Sequence, residues 1–250
     1  MTDSKQTDST ALVTGASRGF GRAIAAALHA EGGRVVAVAR SADRLDALHE
    51  ELGARLIPVV ADVADPVVAG ALMDRYRPDT LVLNAGAAPL PRPLQEQTWE
   101  TFSRNWEVDV RHAFHWIREA LLLPLRPGST VVAMSSGAAV AGSPLSGGYA
   151  GSKATIRFLS GYAADESARA GLGIRFVSLL PKLTPATELG AAGVAGYARR
   201  NDMTIEQYLD EVGPSITPGD VGKATVELVA AAGPASGAFL LTPAGLSPLP

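Results

Sequence analysis

The stretch TALVTGASRGFGRAIA, residues 10–25, changes character at its centre. Its opening is the apolar and β-branched run of a strand, and its alanine-rich end has the composition of a helix. Between them stand Gly15, Gly19 and Gly21. Glycine lets a backbone turn tightly and come close to a bound group. A turn that delivers a strand into a helix presents the helix's unpaired amides, which favour the negative charge of a pyrophosphate. The motif alone is a weak signal that a structural turn would also explain. Its strand–turn–helix setting strengthens it and puts Gly15, Ser17, Arg18, Gly19, Phe20 and Gly21 in reach of a dinucleotide.

The same alternation continues along the chain. The first run leads into a helical pattern over 18–31, RVVAVA into one over 42–52, and RLIPVV into one starting near Pro66. TLVLNAG precedes a long helix over 98–123, and STVVAMSS precedes a helix over 148–170. GIRFVSLL is a sixth strand, and AFLLT a last one after a helix over 218–232. Short β-rich runs separated by helices are the βαβ rhythm of a parallel sheet covered on both faces. The expected fold is one α/β domain over 1–250, a doubly wound Rossmann-type parallel sheet flanked by helices, whose ligands bind at the carboxyl ends of the strands. Residues 1–9 read as a flexible tail. Residues 181–214 break the rhythm: they are rich in Gly, Ala, Thr and Pro, with a helical patch over 205–212, and read as a substrate loop or lid. Met203, Tyr208 and Leu209 would give it an apolar wall or fill its own core.

Bulk properties narrow the function classes. The 250 residues are 47% hydrophobic and 19% charged, an ordinary globular balance without an apolar run long enough to cross a bilayer. A net charge of -3 offers no footprint for nucleic acid. The absence of cysteine excludes disulfides, thiolate catalysis and sulfur-rich metal sites. The four histidines, His29, His49, His112 and His115, lack the spacing of a metal centre, so no metal is expected. The polar amino terminus has no signal-peptide segment, which makes a cytoplasmic location the expectation.

The strand ends collect the remaining candidates. Arg40 follows the second strand, where an adenosine ribose would arrive. An acidic residue there accepts from a 2'-hydroxyl, whereas arginine pairs with a 2'-phosphate, so the expected cofactor is NADP(H), with Arg18 as a second cation. Solvated surface arginines are the competing reading. Asp62, beside Val63, could accept from an adenine amino group or cap a helix. Asn84, Ala85 and Gly86 form a small-residue turn after the fourth strand that would let the chain pass close to the cofactor.

The chemistry is carried by GGYAGSK, residues 147–153, whose Tyr149 lies thirteen residues on from Ser136. Tyr149 and Lys153 are about one helical turn apart and project from one face. A free phenol has a pKa of about 10, and a neighbouring cation favours the phenolate, so the pair is a general acid/base candidate. Ser136, at a strand end, would orient a carbonyl or alcohol oxygen by hydrogen bonding.

TGASRGFG, NAG, Ser136 and Tyr149-Ala-Gly-Ser-Lys153, in that order and spacing, resemble the classical short-chain dehydrogenase/reductase family over residues 10–242. The resemblance implies hydride transfer between a nicotinamide and a carbonyl or secondary alcohol. Tyr149 would be the acid or base, Lys153 the ribose ligand, and Ser136 the group that positions substrate; Ser135 fits the spacing less well. It also implies contacts from Pro181, the Leu183 backbone and a threonine, Thr184 or Thr187, to the carboxamide and pyrophosphate. A homo-oligomer, dimer or tetramer, is implied too, since the long helix with Trp99, Phe102, Trp106, Phe114 and Trp116 often packs against its copy in this family. Two departures stand out. Asp109, with Asn105 one turn earlier, stands where the family usually has a relay asparagine, and would accept from water or pair with Lys153. Lys182 follows Pro181 where glycine is common. A non-catalytic dinucleotide-sensing or scaffold protein on the same fold is the alternative.

Overall fold

In the computed structural model, residues 9–231 and 236–250 are described. The expected tail therefore lies outside the described residues, Ser9 excepted, as does the last residue of the helix expected over 218–232. The apolar runs become strands β1 (Thr10–Thr14), β2 (Arg34–Ala39), β3 (Leu56–Val60), β4 (Thr80–Leu83), β5 (Thr130–Met134), β6 (Arg175–Pro181), β7 (Gly237–Thr242) and β8 (Gly245–Leu249). They form one sheet in the order β3-β2-β1-β4-β5-β6-β7-β8. Every pairing is parallel except the last, β7 with β8. From β1 the chain winds outward to β2 and β3, then returns to lay β4 on the other flank. That reversal opens a crevice at the carboxyl ends of β1 and β4, the expected place for a ligand.

Side-chain alternation in the strands separates two cores. Val13, Val35 and Ala37 face α1 (Gly19–Ala30), α2 (Ala42–Leu52) and α10 (Pro218–Ala230), where they join Ile24, Leu45 and Val221. Leu12, Val36 and Val38 face the opposite way, toward α3 (Pro66–Tyr76), α5 (Arg111–Leu122) and α7 (Gly147–Arg169). Trp116 of α5 is fully buried there and donates from Nε1 to the Val63 carbonyl at 2.9 Å. Its indole thus ties a helix to the loop after β3.

Three segments differ from expectation. The long helix over 98–123 is α4 (Trp99–Asn105) and α5 joined through a π-helical turn, Trp106–Val110. The irregular stretch 181–214 begins inside β6 and holds two helices, α8 (Glu188–Arg200) and α9 (Ile205–Val212). The α8 helix was hidden by Gly190, Gly193 and Gly196, residues of low helix propensity. They are there for close packing: a Cβ on Gly190 would lie 1.8 Å from the Thr184 carbonyl oxygen. Finally, β8 contains Pro248, which argues against a strand in a sheet interior but is tolerated at the edge this strand occupies.

Candidate active site

The carboxyl ends of β1 and β4 are locked together by buried Thr14. Its Oγ1 donates to the Val82 carbonyl at 3.1 Å and accepts from the amides of Asn84 and Ala85 at 2.9 and 3.2 Å. Asn84 answers by donating from Nδ2 to the carbonyls of Thr14 and Gly15 at 3.0 and 3.3 Å. Its side chain thus holds the glycine turn in place, a role the motif did not reveal. Thr14, which the sequence reading passed over, is the centre of this lock. Gly15 has φ +67°, and a Cβ there would come within 2.8 Å of the Ala85 backbone. The turn opens into α1, whose N-cap Arg18 makes no side-chain cap hydrogen bond and whose first turn has no acidic residue. An Asp or Thr side chain caps α3, α4, α8, α9 and α10, whereas α2, α5 and α7 share with α1 the lack of a side-chain cap. The amides at the start of α1 are therefore suited to an external anion.

Around this turn, Arg40 at the end of β2 is exposed and makes no ion pair with any described residue. Asp62 is exposed and accepts from the Ala64 amide at 3.1 Å, so its carboxylate serves a turn, while Val63 is buried. Ser17, Gly19 and Phe20 are half-buried, and Gly21 is buried beneath the turn.

At the other end of the crevice, α7 delivers Tyr149 and Lys153. Lys153 is buried, with Nζ 5.6 Å from the Tyr149 ring centroid, and donates to the Met134 carbonyl at 3.2 Å. The π-helical turn brings Asp109 against it: Nζ and Oδ2 lie 3.2 Å apart, with side chains 7% and 0% exposed. The contact is an ion pair rather than an aligned hydrogen bond, since Oδ2 has no hydrogen-bond partner among the described residues. Asp109 Oδ1 accepts from the Ala87 amide at 2.7 Å, and Asn105 Nδ2 donates to the Ala87 carbonyl at 2.7 Å. Gly86 makes room for this arrangement, because a Cβ there would meet Asp109 Oδ2 at 2.8 Å. Burial alone would push the Lys153 pKa down. The negative charges of Asp109 and Tyr149 outweigh it, and the ammonium is held above its ordinary value.

Ser135 is buried and donates from Oγ to the Lys153 carbonyl at 2.7 Å, a structural use of its hydroxyl. Ser136, half-buried, accepts from the Ala138 amide at 3.2 Å and lies two residues before the short helix α6 (Ala138–Ala141). His112, one of the four histidines without metal-centre spacing, is fully buried near this cluster. Burial first, then the Lys153 charge, lower its pKa to about 3, against a smaller upward pull from the Ala85 backbone.

Pro181, the last residue of β6, is buried; beyond it Lys182 is exposed and Leu183 half-buried. The two threonines separate clearly. Thr184 Oγ1 points inward, donating to the Ile216 carbonyl at 2.5 Å and accepting from the Ala186 amide at 3.2 Å. Its hydroxyl is engaged by these two backbone groups. Thr187 caps α8 by accepting from the Gly190 amide at 3.0 Å and lies against Gly19 of the glycine turn. Tyr197 and Tyr208 stack at 6.1 Å between centroids, so Tyr208 packs within the α8–α9 segment.

Comparison with known proteins agrees in architecture and sequence. A family model described as short chain dehydrogenase matches residues 9–196. An uncharacterized oxidoreductase of Methylorubrum extorquens is 33% identical over 87% of this chain and 89% of its own length. Human L-xylulose reductase is 41% identical over 100 residues, a match confined to 40% of this chain and 41% of that protein. A Burkholderia cenocepacia short chain dehydrogenase, solved in complex with NADP, is 29% identical and superposes with a TM-score of 0.78 over 95% of this chain and 97% of that one.

Proposed function

The chain belongs to the short-chain dehydrogenase family, and on that footing we propose that it moves a hydride between NADP(H) and a carbonyl or secondary alcohol, with Tyr149 as the general acid or base. The single observation that carries this reading is the buried Lys153, placed beside the Tyr149 ring and kept charged by Asp109.

When bound, the nicotinamide supplies or accepts the hydride; the protein's part is to bind, orient and move a proton. The glycine turn and the uncapped start of α1 suit a pyrophosphate, and the unpaired Arg40 suits a 2'-phosphate. Lys153 Nζ stabilises negative charge on the Tyr149 oxygen. In reduction Tyr149 Oη gives its proton to the carbonyl oxygen as the carbonyl carbon gains the hydride; in oxidation the phenolate takes the alcohol proton back. Ser136 holds the same substrate oxygen. Asp109 stands in the place of a relay residue and keeps the buried ammonium from being an isolated charge. Support for NADP(H) comes from Arg40 and from the related dehydrogenase solved with NADP. L-xylulose reductase, by its name, reduces a ketose, which supports a carbonyl substrate.

Residues 181–214 are the substrate loop or lid in this reading, and the whole chain is one catalytic domain. No described helix is long and apolar enough to cross a membrane. A homo-oligomer is part of the proposal. Trp99 is 78% exposed and stacked on Phe102, and Phe158 and Tyr162 form a second exposed stack on α7. The decisive experiment follows NADPH oxidation against a panel of ketones and aldehydes by the native protein and Tyr149→Phe. Turnover lost in the variant with NADPH binding retained supports the mechanism; turnover that survives refutes it.

A further inference from the structure

The start of α8 rests on the glycine turn. A Cβ built on Gly19 would lie 3.6 Å from Thr187 Cγ2, so the N-cap residue of α8 lies against the glycine turn. The next residue, Glu188, pairs through Oε2 with Arg18 Nη1 and reaches Arg44 Nη1 at 3.6 Å through Oε1. One carboxylate thus ties together the glycine turn, α2 and α8. The Arg18 and Arg44 side chains are 56% and 51% exposed and that of Glu188 is 64% exposed. The ties are in water and easily exchanged. Arg40, four residues before Arg44, has no such partner among the described residues.

From this geometry we infer that Glu188 is a specificity-determining residue, an internal anion that occupies the arginines a 2'-phosphate would claim. The inference rests on the reading of NADP(H) as the cofactor. A 2'-phosphate brings up to two negative charges and three acceptor oxygens, against one charge and two oxygens on Glu188. Placed beside the same guanidinium groups, the two anions repel each other. NADP(H) therefore displaces Glu188 and frees the first turn of α8 from the glycine turn. NAD(H), with a neutral 2'-hydroxyl, leaves the clasp in place. Glu188 lowers affinity for the phosphorylated cofactor and makes its binding and release more readily reversible.

The test is a titration of NADPH and NADH against the native protein, Arg40→Ala, Glu188→Gln, and Glu188→Gln in an Arg44→Ala background. The expected result is NADPH binding about three- to tenfold tighter in Glu188→Gln, with NADH unchanged. The gain should shrink at high salt and in the Arg44→Ala background, where one of the contested cations is gone. If the native protein prefers NADPH but Glu188→Gln leaves the NADPH to NADH ratio unchanged, or weakens NADPH binding, the inference fails and the cofactor reading stands. If the native protein shows no preference and Arg40→Ala changes nothing, the cofactor reading fails and takes the inference with it.

Discussion

The crevice has a carboxylate–cation pair at each end, and the two differ in their exposure to water. Lys153 and Asp109 have side chains 7% and 0% exposed; Arg18 and Glu188 are 56% and 64% exposed. The charges are alike, but the surroundings give them opposite uses. A buried pair is locked, because removing one partner strands the other without solvent, at about 3–5 kcal/mol. An exposed pair is worth about 0–1 kcal/mol and yields to a better ligand. The interior pair suits a permanent electrostatic setting for proton transfer, and the surface pair suits reversible recognition of a cofactor.

The hardest break in this comparison is at the interior end. Tyr149→Phe should lower kcat by about 10²- to 10⁴-fold, measured under saturating NADPH, with the dissociation constant for NADPH changed little. Next comes stability. Asp109→Ala should cost about 3–5 kcal/mol in urea unfolding, while Glu188→Ala at the surface end should cost less than about 1 kcal/mol. Equal costs would erase the distinction between the two ends.

The third prediction concerns pH. Buried His112 is held to about 3 against an ordinary 6.5, so the unfolded chain binds a proton there that the folded chain refuses. Its contribution to stability is full above about 6.5 and is lost as pH falls toward 3, at up to about 1.4 kcal/mol per pH unit. Unfolding free energies measured between pH 7 and 5 should show this slope in the native protein and a shallower one in His112→Gln. The fourth prediction returns to the surface end: Arg40→Ala should weaken NADPH binding about tenfold and leave NADH binding unchanged.

How much of this was legible in the sequence depends on whether the signal was local. β1 and β2 and the bounds of α2 follow from apolar runs and turn residues read directly, and the structure reproduces them. The proximity of Tyr149 and Lys153 is a consequence of helical spacing. The pairing of Asp109 with Lys153 was one of two options open to that carboxylate, and the π-helical turn selects it. What stayed hidden depends on contacts across long separations. Glycines in α8 read as irregular until the chain they pack against is known, and Pro248 reads as a breaker until its strand is seen to be an edge. Thr14, the first residue of TGASRGFG, has no role that the motif itself reveals, and His112 and Glu188 belong to no motif. Their importance comes from partners 70, 41 and 170 residues away in Asn84, Lys153 and Arg18.

The most direct test of the central claim, that the buried Lys153–Asp109 pair governs proton transfer by Tyr149, is the pH dependence of turnover in the native protein and in Asp109→Asn. Removing the negative charge leaves the Lys153 cation unopposed beside the phenol and favours the phenolate. The account predicts that Asp109→Asn stays active with its pH optimum moved downward; an unchanged pH profile would contradict it.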